Sequence, residues 1–246
     1  MLASLREKLI IKELNEKGIV NINDIAEKLN ASLATIRRDL RKLENENKLI
    51  RVHGGAKQIT SLELTMLEKL VLNYDEKKAL CQKASEEIKD GDCIFIDGGT
   101  TLEPMYEFVK NKQVTVVTNN LLILKKVEKT TAKFISVGGD YLAHYSMMVG
   151  SVALKQLDHY HFDACFIGCT GVDFENDLIY TVEQETMDIK LHAIKNATNA
   201  YLIADSSKLN IKAFVKYQGL QQFNKIYTNI NKVFDSYPNI ENVKND

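Results

Sequence analysis

Two hydrophobic periodicities divide this chain near residue 75. Before it, apolar residues recur every three or four positions. Leu5, Leu9 and Leu14 with Ile10 and Ile11 predict a helix over residues 5–17, with Gly18 as its stop. Residues 22–29 form a shorter amphipathic segment ending at Asn30 and Ala31. Ser32 is a good N-cap for a third helix running to about residue 45, because its hydroxyl can accept from a free backbone N–H of the first turn. Ile36, Leu40 and Leu43 share one face of that helix. Ala34, Arg38, Arg41 and Lys42 fall on the opposite face, with Thr35 and Arg37 flanking it. Residues 49–52 are strand-like, His53, Gly54 and Gly55 form a turn, and residues 56–59 return as a second strand. Two helices joined tightly, the second cationic in front and apolar behind, followed by a hairpin, give the layout of a winged helix-turn-helix.

Beyond residue 75, short apolar runs alternate with helical stretches. The runs are 93–96, 114–117, 134–137, 164–167, 201–204 and 225–227, each too short for a helix. Segments 76–88, 121–129 and 185–197 carry helical spacing between them. Strands alternating with helices predict an open α/β domain with a mainly parallel sheet covered on both faces. The expected organisation is therefore a winged helix-turn-helix head over 1–57, a linker or coupling segment over 58–74 and an α/β domain over 75–246. The coupling segment holds Leu62, Leu64, Met66, Leu67, Leu70 and Leu72, too apolar for a free tether. It is expected to pack on the α/β domain or on a partner subunit.

Charge sharpens the division. All five arginines lie within the first 51 residues, three of them at Arg37, Arg38 and Arg41. Residues 1–58 carry 12 Lys and Arg against 8 Asp and Glu, while the remainder carries 20 against 25. The near-neutral pI of 6.5 hides a basic head on an acidic body. Arginine's planar fork suits phosphates and the guanine edge, so nucleic-acid contact is expected at the head. Ser32, Ala34, Thr35, Arg37 and Arg38 are candidates to approach base edges and phosphates, with Arg41, Lys42, Arg51 and His53 positioning the protein on the backbone. The N-terminus lacks the apolar stretch of a signal peptide, and no run reaches the ~20 apolar residues of a membrane span. Cys81, Cys93, Cys165 and Cys169 form no C-x-x-C pair; Cys93 and Cys165 read as small buried hydrophobes in a reduced cytoplasm.

The residues after each apolar run carry the second chemistry. The first run ends in Asp97, Gly98, Gly99, Thr100 and Thr101; the second in Thr118, Asn119 and Asn120; the third in Gly138, Gly139 and Asp140. The fourth ends in Gly168, Cys169, Thr170 and Gly171, the fifth in Asp205, Ser206, Ser207 and Lys208. Open α/β sheets bind ligands outside the carboxyl ends of their strands. The glycine-threonine turn would offer backbone N–H groups and hydroxyls to an anion, Lys208 a point charge, and Asn119, Asn120 and Asp205 partners for sugar hydroxyls. Turns use Gly, Asn, Asp and Ser in any case, but five such ends on one edge point to a polyol-phosphate pocket. His159 and His161 lack a matching third ligand and read as a surface pair, not a metal site.

The run from Ser32 to Leu40, followed by Leu43-Glu44 and then Arg51-Val52-His53-Gly54-Gly55-Ala56, closely resembles the signature of DeoR-type transcriptional regulators. Asn47 stands where that family usually has Gly, and Arg41 where an acidic residue is common. The resemblance extends through the second half. It implies a sensor domain similar to ribose-5-phosphate isomerase, with a phosphosugar site at Asp97 to Thr101, Thr118 to Asn120, Gly138, Gly139, Gly168 to Gly171, the helix carrying Glu185 and Lys190, and Asp205 to Lys208. Leu209-Asn210 replaces the family's Phe-Gly, and Lys69 a common Arg.

An aldose–ketose isomerase needs a general base, and the related enzymes carry a Gly-Ala-Asp-Glu type motif at the fourth strand end. Here Gly168-Cys169-Thr170-Gly171-Val172-Asp173 stands there instead. The expectation is a binding pocket without catalysis, metal or cofactor. An isomerase using Glu185 as base is the alternative, and a pure interaction protein a third reading. The expected partners are double-stranded operator DNA, a phosphorylated sugar and further copies of the chain, as a dimer or tetramer, with no membrane.

Overall fold

A computed structural model describes residues 2–46, 48–52, 54–57, 64–230 and 236–243. Asn47, His53 and Leu62 lie outside the described residues. The chain divides into two compact units, Met1–Glu63 and Leu64–Asp246.

The first unit runs α1 (Ala3–Lys17), β1 (Ile19–Asn21), α2 (Ile22–Lys28), α3 (Leu33–Asn45), β2 (Ile50–Val52) and β3 (Gly55–Lys57). Its core is the apolar stripe read from the sequence, with Ile10, Leu14, Ile25, Ile36, Leu40 and Leu43 all buried. The wing departs from the two-stranded expectation. β3 is the centre of a three-stranded antiparallel sheet, with β1 on one side and β2 on the other. Arg6 of α1 is not a surface cation: it forms a buried ion pair with Asp39 of α3 and ties the two helices together.

The second unit opens with α4 (Met66–Val71) and α5 (Tyr74–Ala84). Thr65 and Glu68 cap α4 reciprocally, and the helix buries none of its residues; Leu67, Val71 and Leu72 are exposed, Met66 and Leu70 half-buried. There follow β4 (Cys93–Ile96), α6 (Met105–Val109), β5 (Thr115–Thr118), α7 (Leu121–Leu124), β6 (Lys133–Ser136), β7 (Asp140–Leu142), β8 (Met147–Val149) and α8 (Gly150–Leu157). The chain continues through β9 (Phe162–Gly168), β10 (Gly171–Asp173), β11 (Leu178–Thr181), α9 (Gln184–Lys195), β12 (Ala197–Ala204), β13 (Val215–Gln218), β14 (Lys225–Thr228) and β15 (Ile240–Asn242).

Seven strands form one sheet in the order β15-β14-β12-β9-β4-β5-β6, every neighbouring pair parallel. Alternation along the strands feeds two cores. Phe95, Cys165, Ile167 and Leu202 face α8 and α9, while Ile94, Ile96, Phe166 and Ile203 face α5 and α6. Cys165 is fully buried, whereas Cys93 is only half-buried. β6 and β15 are the edges, and the order reverses between β4 and β9, the switch point of such sheets. The expected helix over 121–129 stops at Leu124. Two features were not expected: the antiparallel pair β7 and β8, and the sheet β10-β11-β13.

Removing Asp39's carboxylate would take from the buried Arg6 guanidinium its counter-charge in α3, and breaking such a pair destabilises strongly. Asp39→Ala should lower the melting temperature of the first unit and its DNA affinity while sparing ligand binding by the second. Retention of wild-type melting in calorimetry would show that the pair is dispensable.

Candidate functional site

α3 carries the residues expected to read DNA. Ser32, Ala34, Arg37, Arg38, Arg41 and Lys42 are exposed and Thr35 is half-buried. The Ser32 hydroxyl accepts from the Thr35 amide at 3.1 Å, so it serves as the N-cap, and its oxygen also lies 2.9 Å from the Thr35 hydroxyl. Arg37 and Arg38 form no ion pair among the described residues. Two other cations are engaged. Lys42 donates to both oxygens of Glu7 at 2.9 Å, and Arg51 donates through Nε to Glu44 at 2.6 Å and through its amide at 3.1 Å. These pairs are exposed, so they are weak and exchangeable.

In the second unit the carboxyl edge is organised around Asp97, just past β4. Its carboxylate is ion-paired with Lys190 of α9, both residues buried, and accepts the Gly168 amide at 3.1 Å. Its backbone N–H donates to the Phe166 carbonyl and its carbonyl accepts from the Asn120 side chain at 3.1 Å. Asn120 donates again to the Gly99 carbonyl at 2.9 Å and caps α7 by accepting the Leu122 amide. The Thr118 hydroxyl donates to the Ile96 carbonyl and accepts the Asn120 amide. Asp97, Thr118, Asn120 and Lys190 are therefore committed to holding the strand ends together. The Gly138 amide donates to Gln156 at 2.9 Å, and Gly139 sits where the Val149 carbonyl would crowd any side chain, so this pair serves contacts of α8 and β8. Glu185 is exposed in the first turn of α9.

A second set of groups remains uncommitted. Asp205 is fully buried; Oδ1 accepts from Asn73 at 3.1 Å and from Ser207, while Oδ2 has no partner among the described residues. Burial pushes its carboxyl up, but Lys208, Ser207, Asn73 and Lys77 outweigh that and leave it below the ordinary carboxylate value. Lys77 of α5 is 2% exposed, donates to the Lys69 carbonyl, and lies 3.4 Å from the Thr100 hydroxyl. Burial drives its ammonium down to about 8, Asp205 opposing the fall and Lys208 adding to it. Lys69 is lowered too, by burial and then by Lys208, and lies over the Tyr145 ring. Lys69 and Lys77 thus both feel Lys208, with Asp205 and Glu103 opposing it at Lys77. Asn119 is fully buried; its amide donates to the Met148 carbonyl at 2.9 Å and its Oδ1 has no partner among the described residues. Gly99 has φ 101°, a left-handed turn that glycine adopts without strain, and it leads into the Thr100 and Thr101 backbone. Burial pushes the Cys169 thiol up to about 12, so it stays a thiol.

The arrangement combines a glycine-threonine turn, clustered ammonium groups and buried acceptors, a chemistry suited to an anion carrying hydroxyls. Lys77, Asn73 and Lys69 were not among the expected site residues. Lys77 carried a legible signal: it stands with Leu80, Cys81 and Ala84 on the buried face of α5, where a lysine is out of place. His161 donates to or accepts from Thr198 at 3.1 Å, and no cluster able to hold a metal occurs among the described residues.

Residues 6–62 match the DeoR-like helix-turn-helix domain and residues 72–229 the DeoR C terminal sensor domain. The chain belongs to the DeoR family of DNA-binding transcriptional regulators. It is 36% identical over 242 residues to the uncharacterized HTH-type transcriptional regulator FruR of Bacillus subtilis (strain 168), covering 96% of each chain. It is 31% identical over 225 residues to a lactose phosphotransferase system repressor of Streptococcus mutans serotype c, covering 89% of each. A ribose 5-phosphate isomerase A of Methanocaldococcus jannaschii resembles it with a TM-score of 0.41 and 18% identity, over 56% of this chain and 55% of that one, a likeness too slight to bear on chemistry. No helix among the described residues is long and apolar enough to cross a membrane.

The depressed lysine makes a signed prediction. Free Lys77 loses its proton near pH 8, and a bound anion favours the charged form, so binding takes up a proton above that pH. Anion affinity should fall as pH rises from 7 to 9, and Lys77→Gln should flatten the profile. Stability has the opposite sign: the unfolded chain keeps this proton up to about 10.5, so Lys77's contribution to stability rises with pH between 8 and 10.5. Calorimetric titration with a phosphorylated sugar at both pH values checks the first, and a flat wild-type profile would remove Lys77 from the site.

Proposed function

We propose that this chain is a repressor of sugar uptake or catabolism genes, controlled by a phosphorylated sugar bound at the carboxyl ends of the parallel strands. The observation that carries the reading is the meeting of Lys69, Lys77 and Lys208 beside Asp205 and the glycine-threonine turn. Repelling cations in a buried setting want an anion, while buried acceptors at Asn119 and Asp205 want hydroxyl donors. A sugar phosphate supplies both. The name of the lactose phosphotransferase system repressor supports the gene class.

The site is read as a switch and not an enzyme. Proton abstraction needs an available carboxylate with a suitable pKa. Asp97 is held by Lys190 and Gly168, Asp173 by Asn176 and by the backbone amides of Glu175 and Asn176, and Asp205 lies below the ordinary carboxylate value, where it is a weak base. Glu185 is exposed to solvent. On the DNA side, Thr35, Arg37 and Arg38 read bases and phosphates, with Arg41, Lys42 and Arg51 on the backbone. One winged module buries a small interface, so a homo-oligomer on repeated half-sites of double-stranded operator DNA is proposed. Segment 58–74 is proposed as the coupling segment. The Lys77 ammonium donates to the Lys69 carbonyl in α4, so a ligand that draws on Lys77 acts on that helix directly.

The test is fluorescence anisotropy of the protein on the DNA upstream of its own gene, titrated at fixed salt with sugar phosphates and their unphosphorylated counterparts. Release by a phosphorylated sugar alone is expected; specific binding indifferent to the whole panel would remove the switch. Arg38→Ala should weaken DNA binding about tenfold or more with ligand binding intact. Lys208→Ala should leave DNA binding intact and raise the sugar phosphate needed by about tenfold or more. If both variants lose both activities, the two-site division fails.

A further inference from the structure

Among the described residues, four buried side-chain oxygens have no hydrogen-bond partner: Glu103 Oε2, Asn119 Oδ1, Asp205 Oδ2 and the Tyr217 hydroxyl. Glu103, Asn119 and Asp205 stand in the segments that follow β4, β5 and β12, at the carboxyl edge. A buried polar group without a partner is costly, and such groups are few in native proteins. Their concentration at one edge marks a place built for something polar. Carboxylate and amide oxygens only accept, so Tyr217 is the one donor of the four.

Tyr217 comes from outside the main sheet. It lies in β13, opposite Ile179 of β11. The chain leading to it is clamped against β10: the Asn210 amide donates to the Val172 carbonyl at 2.8 Å. A side chain at Gly171 would stand 1.8 Å from the Ile211 carbonyl oxygen, so glycine permits this approach. Burial pushes the Tyr217 hydroxyl well above its ordinary value, with Cys169, Asp97 and Cys165 adding to the shift, so it is protonated and a donor at neutral pH. The groups acting on it are the Asp97 carboxylate and the Cys169 and Cys165 thiols, all on or just past β4 and β9.

We propose that Tyr217 is a specificity-determining residue of the effector pocket, its hydroxyl donating to a hydroxyl or carbonyl oxygen of the bound sugar phosphate while the lysines hold the phosphate. The proposal rests on the sugar-phosphate reading of this site. A site that offers a hydrogen bond discriminates strongly against ligands unable to accept it.

The experiment compares the full chain with Tyr217→Phe. Each is titrated with ribose 5-phosphate, fructose 1-phosphate, fructose 6-phosphate, glucose 6-phosphate and inorganic phosphate, by calorimetry and by release from DNA. The variant should bind the preferred sugar phosphate about tenfold more weakly, with inorganic phosphate unchanged and discrimination among the sugars reduced. The ligand-free melting temperature should stay level or rise, because an unpartnered hydroxyl has been removed. Unchanged sugar binding by Tyr217→Phe would overturn the assignment and leave the pocket standing. A lowered ligand-free melting temperature with equal losses for sugars and inorganic phosphate would assign the hydroxyl to the fold instead. If no sugar phosphate binds the wild-type chain, the pocket reading falls and Tyr217's role with it.

Discussion

The ion pair between Asp97 and Lys190 holds the carboxyl edge of the sheet in register, because each contact it makes belongs to a different element. Lys190 comes from α9, the Gly168 amide from β9, and the Asn120 side chain from the turn after β5. Two charges withdrawn from water this fully are tolerated only when their remaining hydrogen-bonding capacity is also met. Asp97 meets that condition through its side chain and both of its backbone groups. The strand ends are thereby fixed before any ligand arrives, and the order of the sheet reverses at this same place, between β4 and β9.

Beside this satisfied network stands an unsatisfied one. Lys69 and Lys77 are both lowered by burial first and by Lys208 after it, with Asp205 opposing the fall at Lys77. The difference between the two networks separates scaffold from site. A residue whose polar atoms are all spoken for holds geometry; one left short has affinity to offer. By that criterion Thr118 and Asn120 are scaffold, though their residue types suit a sugar equally well.

The same criterion explains what the sequence disclosed. The helices of the first unit were legible because Leu9, Leu14, Ile36, Leu40 and Leu43 repeat at helical spacing and all pack inward or along the core's rim. Six parallel strands were legible as apolar runs. β15, with the sequence Ile-Glu-Asn, has no apolar run at all and is a strand only because β14 offers it an edge. β1 is three residues long and owes its existence to pairing with β3. At the site, sequence pointed to the carboxyl edge without separating residues bonded to the strand ends from residues with polar atoms to spare. It cannot tell an asparagine that caps a helix, such as Asn120, from one with an oxygen to spare, such as Asn119. Nor does it reveal that β13 brings Tyr217 to that edge, since this depends on a loop crossing at Gly171. Arg6 misled in the same way: its charge supported the basic head, but a partner 33 residues away claims it for the core.

The proposed coupling between ligand and DNA needs a group whose environment differs between states, and Lys77 is the candidate for it. Its ammonium is bound to the backbone of α4, the first helix of the sensor unit, while its side chain lies within reach of the glycine-threonine turn. An anion arriving there competes with a neutral carbonyl for the same proton donors, and a charged acceptor makes the stronger bond. The helix that loses the competition carries Lys69, lowered by burial and then by Lys208, so an anion there would also offset that cost across the same few residues. A ligand shifts a conformational equilibrium only by its difference in affinity for the two states. On the proposed reading, buried lysines and unpartnered oxygens beside α4 are where such a difference would arise.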